Sequence, residues 1–258
     1  MSLGIKQSKD QAGSAIGCFW SPNNIDPKNQ TRSSARSAYF DDFQVSRPNL
    51  HAITQRHVTK LLTQTANGVV TVTGVQYAKP NCKTLQVVRA RKQYILSAGA
   101  VHDPQILQLS GIGPKPLLGK LGVKVAVDLP GVGSNLQDHP YGGLILKLAN
   151  VFPSPIDLET DAAFDAEQRA LFYKNRTGTW TAGAPNSVAF LPLADFTDKA
   201  AALLAAYTAQ APDAHLRAGS DARLLAGFAK QRAVLLKHLA TPSMAGTSCP
   251  PSARAPPR

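Results

Sequence analysis

Cysteine is scarce: Cys18, Cys82 and Cys249 are the only three. Their odd number and wide separation supply neither a disulfide framework nor a metal-ligand spacing, and they read as ordinary thiols. No run of about 18 apolar residues occurs, so no segment reads as a membrane-spanning helix. The opening MSLGIKQSKDQAGSAIG lacks the apolar stretch of a secretory signal, and localisation stays unassigned. Acidic residues are missing altogether from residues 51–100, which carry seven Lys or Arg. The same interval has only two aromatics, Tyr77 and Tyr94. Nucleic-acid surfaces interleave basic groups with exposed aromatics or carry a recognisable module, so that partner class is set aside. Solvated strand faces account for most of these lysines, although a dinucleotide pyrophosphate would also favour positive surroundings. A third glycine is lacking from Gly131-Val132-Gly133-Ser134-Asn135-Leu136, and Pro130 precedes it. Without that glycine for helix–strand packing, the turn is not a dinucleotide phosphate loop.

What is present suits a globular chain. With 258 residues, 43% of them hydrophobic, one large or two modest domains can be built around buried cores. Residues 1–46 are polar and loop-like, with a helical turn expected near 36–40. Strand-like segments follow: LHAIT, HVTKLL, GVVTVTGVQYA, LQVVRA and QYILSA, separated by Asn67-Gly68 and Lys79-Pro80-Asn81. They predict a β-meander feeding a buried strand. Residues 104–123 read as helix, with Asp103 as cap and Pro104 in the first turn, then a short helix near 115–121. The segment KVAVDLP returns to strand. Residues 150–200 hold seven of the sixteen acidic residues and predict two helices, a turn and a strand ending at Leu191-Pro192. Residues 200–240 read as helical, and 241–258 have the Pro, Ser and Arg bias of a disordered tail.

The stretch ILSAGAVHDPQILQLSGIGP, residues 95–114, places small residues where a strand runs out. Small residues there let the backbone come close to something bulky, either another chain segment or a cofactor.

Gly99-Ala100, Pro104-Gln105-Ile106-Leu107, Ser110-Gly111-Ile112-Gly113-Pro114, Asp128-Leu129-Pro130-Gly131-Val132-Gly133 and Asn135-Leu136-Gln137-Asp138-His139 together resemble the glucose-methanol-choline (GMC) flavoprotein oxidoreductases. Thr31-Arg32-Ser33-Ser34, Arg47-Pro48-Asn49-Leu50 and His57-Val58 extend the resemblance upstream. A looser similarity continues through Tyr173 and Arg176-Thr177-Gly178. One position departs: Asp103 stands where the family usually has Ser or Thr. All three can cap a helix, but a carboxylate beside a phosphate would weaken its binding.

The resemblance implies an α/β (mixed α and β) fold, with a partial FAD-binding domain at 1–140 (1–46 loop-rich) and part of an antiparallel-sheet substrate domain at 141–240. It implies FAD as cofactor, with Val58 near the adenine and Ala98 and Gly99 approaching the flavin nucleotide, and a small-molecule alcohol as substrate, with neither nucleic acid nor membrane as partner. The family's strand–GxGxxG–helix cradle has no counterpart in these 258 residues, nor has its histidine in a His-Pro-x-Gly-Thr setting, since Gly246-Thr247 follows Ser243-Met244-Ala245. No catalytic residue and no metal ligand is therefore assigned. His139, His215 and His238 read as structural or surface residues. Two functions remain open: a truncated piece of an FAD-dependent oxidoreductase acting on CH–OH donors, inactive alone, or a non-catalytic family remnant that binds no flavin.

Overall fold

The computed structural model describes residues 4–8, 10, 16–140, 142, 153, 156–182, 187–241 and 247–249. In chain order they form β1 (Gly17–Trp20), α1 (Ala35–Tyr39), β2 (His57–Ala66), β3 (Val69–Ala78), β4 (Gln86–Val88), α2 (Gly99–Leu109), β5 (Ile112–Gly113), α3 (Lys115–Lys120) and β6 (Val127–Asp128). There follow α4 (Asp157–Thr160), α5 (Ala162–Asn175), a 3₁₀ turn (Thr179–Thr181), β7 (Ser187–Leu191), α6 (Leu193–Phe196), α7 (Ala200–Ala209), α8 (Ala222–Ala240) and β8 (Thr247–Cys249). The fold class is mixed α and β. Two compact units share the chain. One comprises Met1–Leu50, Tyr141–Gln210 and Arg232–Arg258, the other His51–Pro140 and Ala211–Gln231. A cut at 140/141 therefore assigns 1–50 and 211–231 to the other unit.

In the second unit the meander β2-β3-β4 is antiparallel. Asn67 and Gly68 make its first turn with φ of +50° and +75°, the left-handed pair that a two-residue hairpin of matching twist requires. Leu61 and Ala78 are buried on this hairpin, and Leu118 of α3 is fully buried. The parallel pair β5-β6 closes the unit behind α2.

Three expectations fail here. LHAIT, residues 50–54, forms no strand; the meander begins only at His57. QYILSA forms no strand, and Ile95 is 77% exposed. An apolar run becomes a strand only with a ladder partner, and among the described residues none pairs with 93–98. The helix begins at Gly99, not Pro104, so Pro104 lies inside it. As the sixth residue of the helix it lies past the unpaired first turn, so its missing N–H leaves the Ala100 carbonyl without an i→i−4 donor. Asp103 is correspondingly not the N-cap; its Oδ1 accepts the Ala98 N–H at 2.6 Å.

In the first unit, β1 lies within the stretch expected to be loop. It pairs antiparallel with β7, and Phe19 stacks on Phe190 with ring centroids 5.6 Å apart. A four-residue strand held by so distant a partner leaves little local pattern among polar neighbours. α5 starts on Asp161, whose Oδ1 accepts the Ala163 and Phe164 N–H groups at 3.0 Å each, and ends on Arg176 in the left-handed region. Buried Gln168 then takes the Thr179 N–H at 2.8 Å, and Asp165 takes the Trp180 indole N–H at 2.8 Å. Of the expected disordered tail, Thr247–Cys249 is instead a strand on β7, where three ladder pairings outweigh the composition of the segment. Residues 242–246 and 250–258 lie outside the described residues.

Candidate cofactor site

α2 is fixed at its far end by a buried serine. The Leu61 N–H of β2 donates to Ser110 Oγ at 2.7 Å, and the Ser110 hydroxyl donates to the Ile106 carbonyl at 2.5 Å. Gly111, with φ +81°, lies so close to the Lys124 carbonyl that a β-carbon there would collide with it. A β-carbon on Gly113 would come to 3.0 Å from Gln108 Cγ. The Ser-Gly-Ile-Gly run is therefore explained by chain packing against chain.

The near end is different. Gly99 has φ +94°, and a β-carbon built on it would meet nothing within 4 Å. Ala98 and Gly99 are both exposed, and no side chain caps the N–H groups of this helix start. The first N–H groups of a helix have no intrahelical acceptor, and they present a partial positive charge. Asp103 works against that charge: its carboxylate already holds the Ala98 N–H.

Val58 is half-buried on β2, opposite Tyr77. The ladder slips a register between Val58 and Lys60. Two residues before Val58, Arg56 donates through Nη1 to the Gln55 carbonyl at 2.9 Å, while its Nε is buried with no hydrogen-bond partner among the described residues. A buried orphan donor of this kind is uncommon in a folded chain. Nothing in the spacing around His57-Val58 signals it. Val58, Ala98 and Gly99 thus fall in one unit, on two elements tied by the Leu61–Ser110 bond.

The histidines are dispersed. His139 is exposed, its backbone N–H on Asp138 Oδ1 at 2.7 Å; His215 lines a cleft of about 970 Å³ with 130–135 and Arg223; His238 lies in the last turn of α8. Among the described residues no three His, Cys, Asp or Glu side chains converge on a point that could hold a metal, and no helix is long and apolar enough to cross a membrane.

The family model described as GMC oxidoreductase matches residues 1–141, a span that contains Val58, the Asp103 helix and both glycine motifs. The chain is a member of the GMC oxidoreductase family. Among curated GMC relatives, the dehydrogenase xptC of Emericella nidulans is 34% identical over 246 residues, covering 91% of this chain and 38% of its own length. The oxygen-dependent choline dehydrogenase of Pseudomonas putida is 43% identical over 139 residues, which are 54% of this chain and 24% of that enzyme. An FAD-dependent oxidoreductase from Chaetomium thermophilum superposes with a TM-score of 0.85 at 35% identity, over 96% of this chain and 42% of that one. A fungal aryl-alcohol oxidase superposes with a TM-score of 0.80 at 28% identity, over 99% of this chain and 43% of that one. The chain thus spans about two fifths of these two structures.

Proposed function

We propose that this chain is a piece of an FAD-dependent oxidoreductase acting on CH–OH donors, carrying the flanking contacts to the flavin nucleotide and part of the substrate domain. The observation that carries the reading is the match of the GMC oxidoreductase family model to residues 1–141; inside that segment the start of α2 is open at Gly99, with no chain atom within 4 Å of where a β-carbon would lie. Arg56 Nε adds a buried donor without an acceptor. The open turn at Gly99 leaves room for a part of the cofactor. A phosphate fits poorly there, because the Asp103 carboxylate sits on the Ala98 N–H.

Bound FAD supplies the hydride acceptor for oxidation of an alcohol. Val58 and the first turn of α2 would orient that group, and Arg56 would offer it a hydrogen bond. No residue here is assigned to remove the hydroxyl proton, and loss of a general base alone costs about 10²- to 10⁴-fold in rate. The small-molecule alcohol substrate, and a role involving neither nucleic acid nor membrane, belong to the same reading.

The chain alone is accordingly expected to hold FAD weakly and to turn over nothing. Refolding with excess FAD, removing free cofactor and adding alcohols without oxygen tests this: the expected protein is colourless. A yellow protein bleached by an alcohol overturns it and returns attention to His139, His215 and His238. The second reading, a remnant that binds no flavin at all, is favoured by the Asp103 substitution and is separated by titrating backbone amide shifts with FAD in excess.

A further inference from the structure

Arg223, in the first turn of α8, binds two carboxylates at once. Its Nε and Nη2 meet Asp221 Oδ1 and Oδ2 at 3.0 and 2.9 Å, while Nη2 and Nη1 reach Asp128 Oδ2 at 2.9 Å and the Asp128 carbonyl at 3.3 Å. Asp128 also accepts the Lys115 N–H at 3.0 Å, so it is held by α3 and by Arg223 together. The chain leaving Asp128 runs directly onto α2. Leu129 N–H donates to the Gly113 carbonyl at 3.0 Å, Gln108 Nε2 donates to the Val132 carbonyl at 3.2 Å, and a β-carbon on Gly133 would lie 3.0 Å from Gln108 Nε2 and 3.5 Å from Pro104 Cβ. Pro104 adjoins Asp103, whose carboxylate holds the Ala98 N–H.

We infer that Arg223 is a positioning residue: it anchors Asp128, and through the 129–134 loop packed on Pro104 and Gln108 it fixes the first turn of α2, which carries Ala98 and Gly99. Every link lies in one unit. The meaning for flavin rests on the function proposed above; the mechanical coupling does not. A guanidinium suits the task because its planar fork serves both carboxylates, which a lysine point charge cannot do.

Hydrogen exchange on the whole chain tests it. In Arg223→Ala the amides of Ala98, Asp103 and Gln105, and those of Val132 and Ser134, should exchange roughly threefold faster, the scale of one exposed ion pair. Leu62 and Val75 in the β2-β3 ladder should be unchanged. Asp128→Asn, which keeps an acceptor for Lys115, should reproduce the pattern, and the double variant should exceed neither single one. Acceleration confined to 221–225, a uniform rise that includes the ladder, additive effects or no change would each overturn the inference. If the pattern appears but FAD shifts no amide of the parent chain, the coupling stands and the flavin reading fails.

Discussion

Gly99 and Gly111 bracket the same helix, both with positive φ, +94° and +81°, yet their surroundings are opposite. At Gly111 the space where a side chain would go is taken by the Lys124 carbonyl and by Ala126. At Gly99 it is empty to 4 Å. One glycine is required by the chain's own packing; the other is not. Identical residue choices in one motif thus meet a packing demand at one end and open space at the other, and only the structure separates them.

The strongest way to break the comparison is Gly111→Ala. Collision with a backbone carbonyl, on top of left-handed strain, should cost about 3 kcal/mol, read as a drop in the midpoint of chemical unfolding; a near-neutral result would mean that the 124–126 segment yields. Ser110→Ala comes next. It strips the acceptor from the Leu61 N–H, and a buried orphan donor should cost about 1–3 kcal/mol. Gly99→Ala should cost only about 1 kcal/mol, the backbone preference alone, while diminishing FAD-induced shifts in the same turn. A loss as large as at Gly111 would erase the distinction.

The smallest effect concerns acid. Hydrogen bonds from the Arg223 side chain and then its backbone hold Asp221 down from 3.8 to about 2. Asp128 is lowered first by the Lys115 N–H, then by Arg223. A carboxylate whose folded value lies below its unfolded one contributes stability above the unfolded value and loses it as pH falls toward the folded one. The Arg223 Nε resonance should therefore stay constant from neutrality to about pH 4 and move only below it. Movement near pH 5 would show that the clamp is not formed.

Much of the second unit was legible in order of residues. The Asn67-Gly68 hairpin follows from turn chemistry, as outside that unit α7 follows from its composition. What failed depended on distant partners. QYILSA has strand composition but no strand beside it among the described residues; β1 has a strand partner 173 residues on, Phe190 opposite Gly17, and no local pattern to announce it. The start of α2 was misplaced because Pro104 and Asp103 make a conventional helix opening, whereas the carboxylate actually reaches back to Ala98. At the candidate site, Val58, Ala98 and Gly99 are legible only through the family resemblance. Arg56 and the Arg223–Asp128 pair are not legible, because an orphaned nitrogen and a contact across 95 residues leave no trace in spacing.

Backbone amide shifts of the whole chain, titrated with FAD in excess, test the central distinction most directly. The account predicts movement at Val58, Ala98, Gly99 and the Arg56 side chain, with Gly111 and Gly113 still. Shifts absent from 98–101, or equal at both ends of α2, would contradict it.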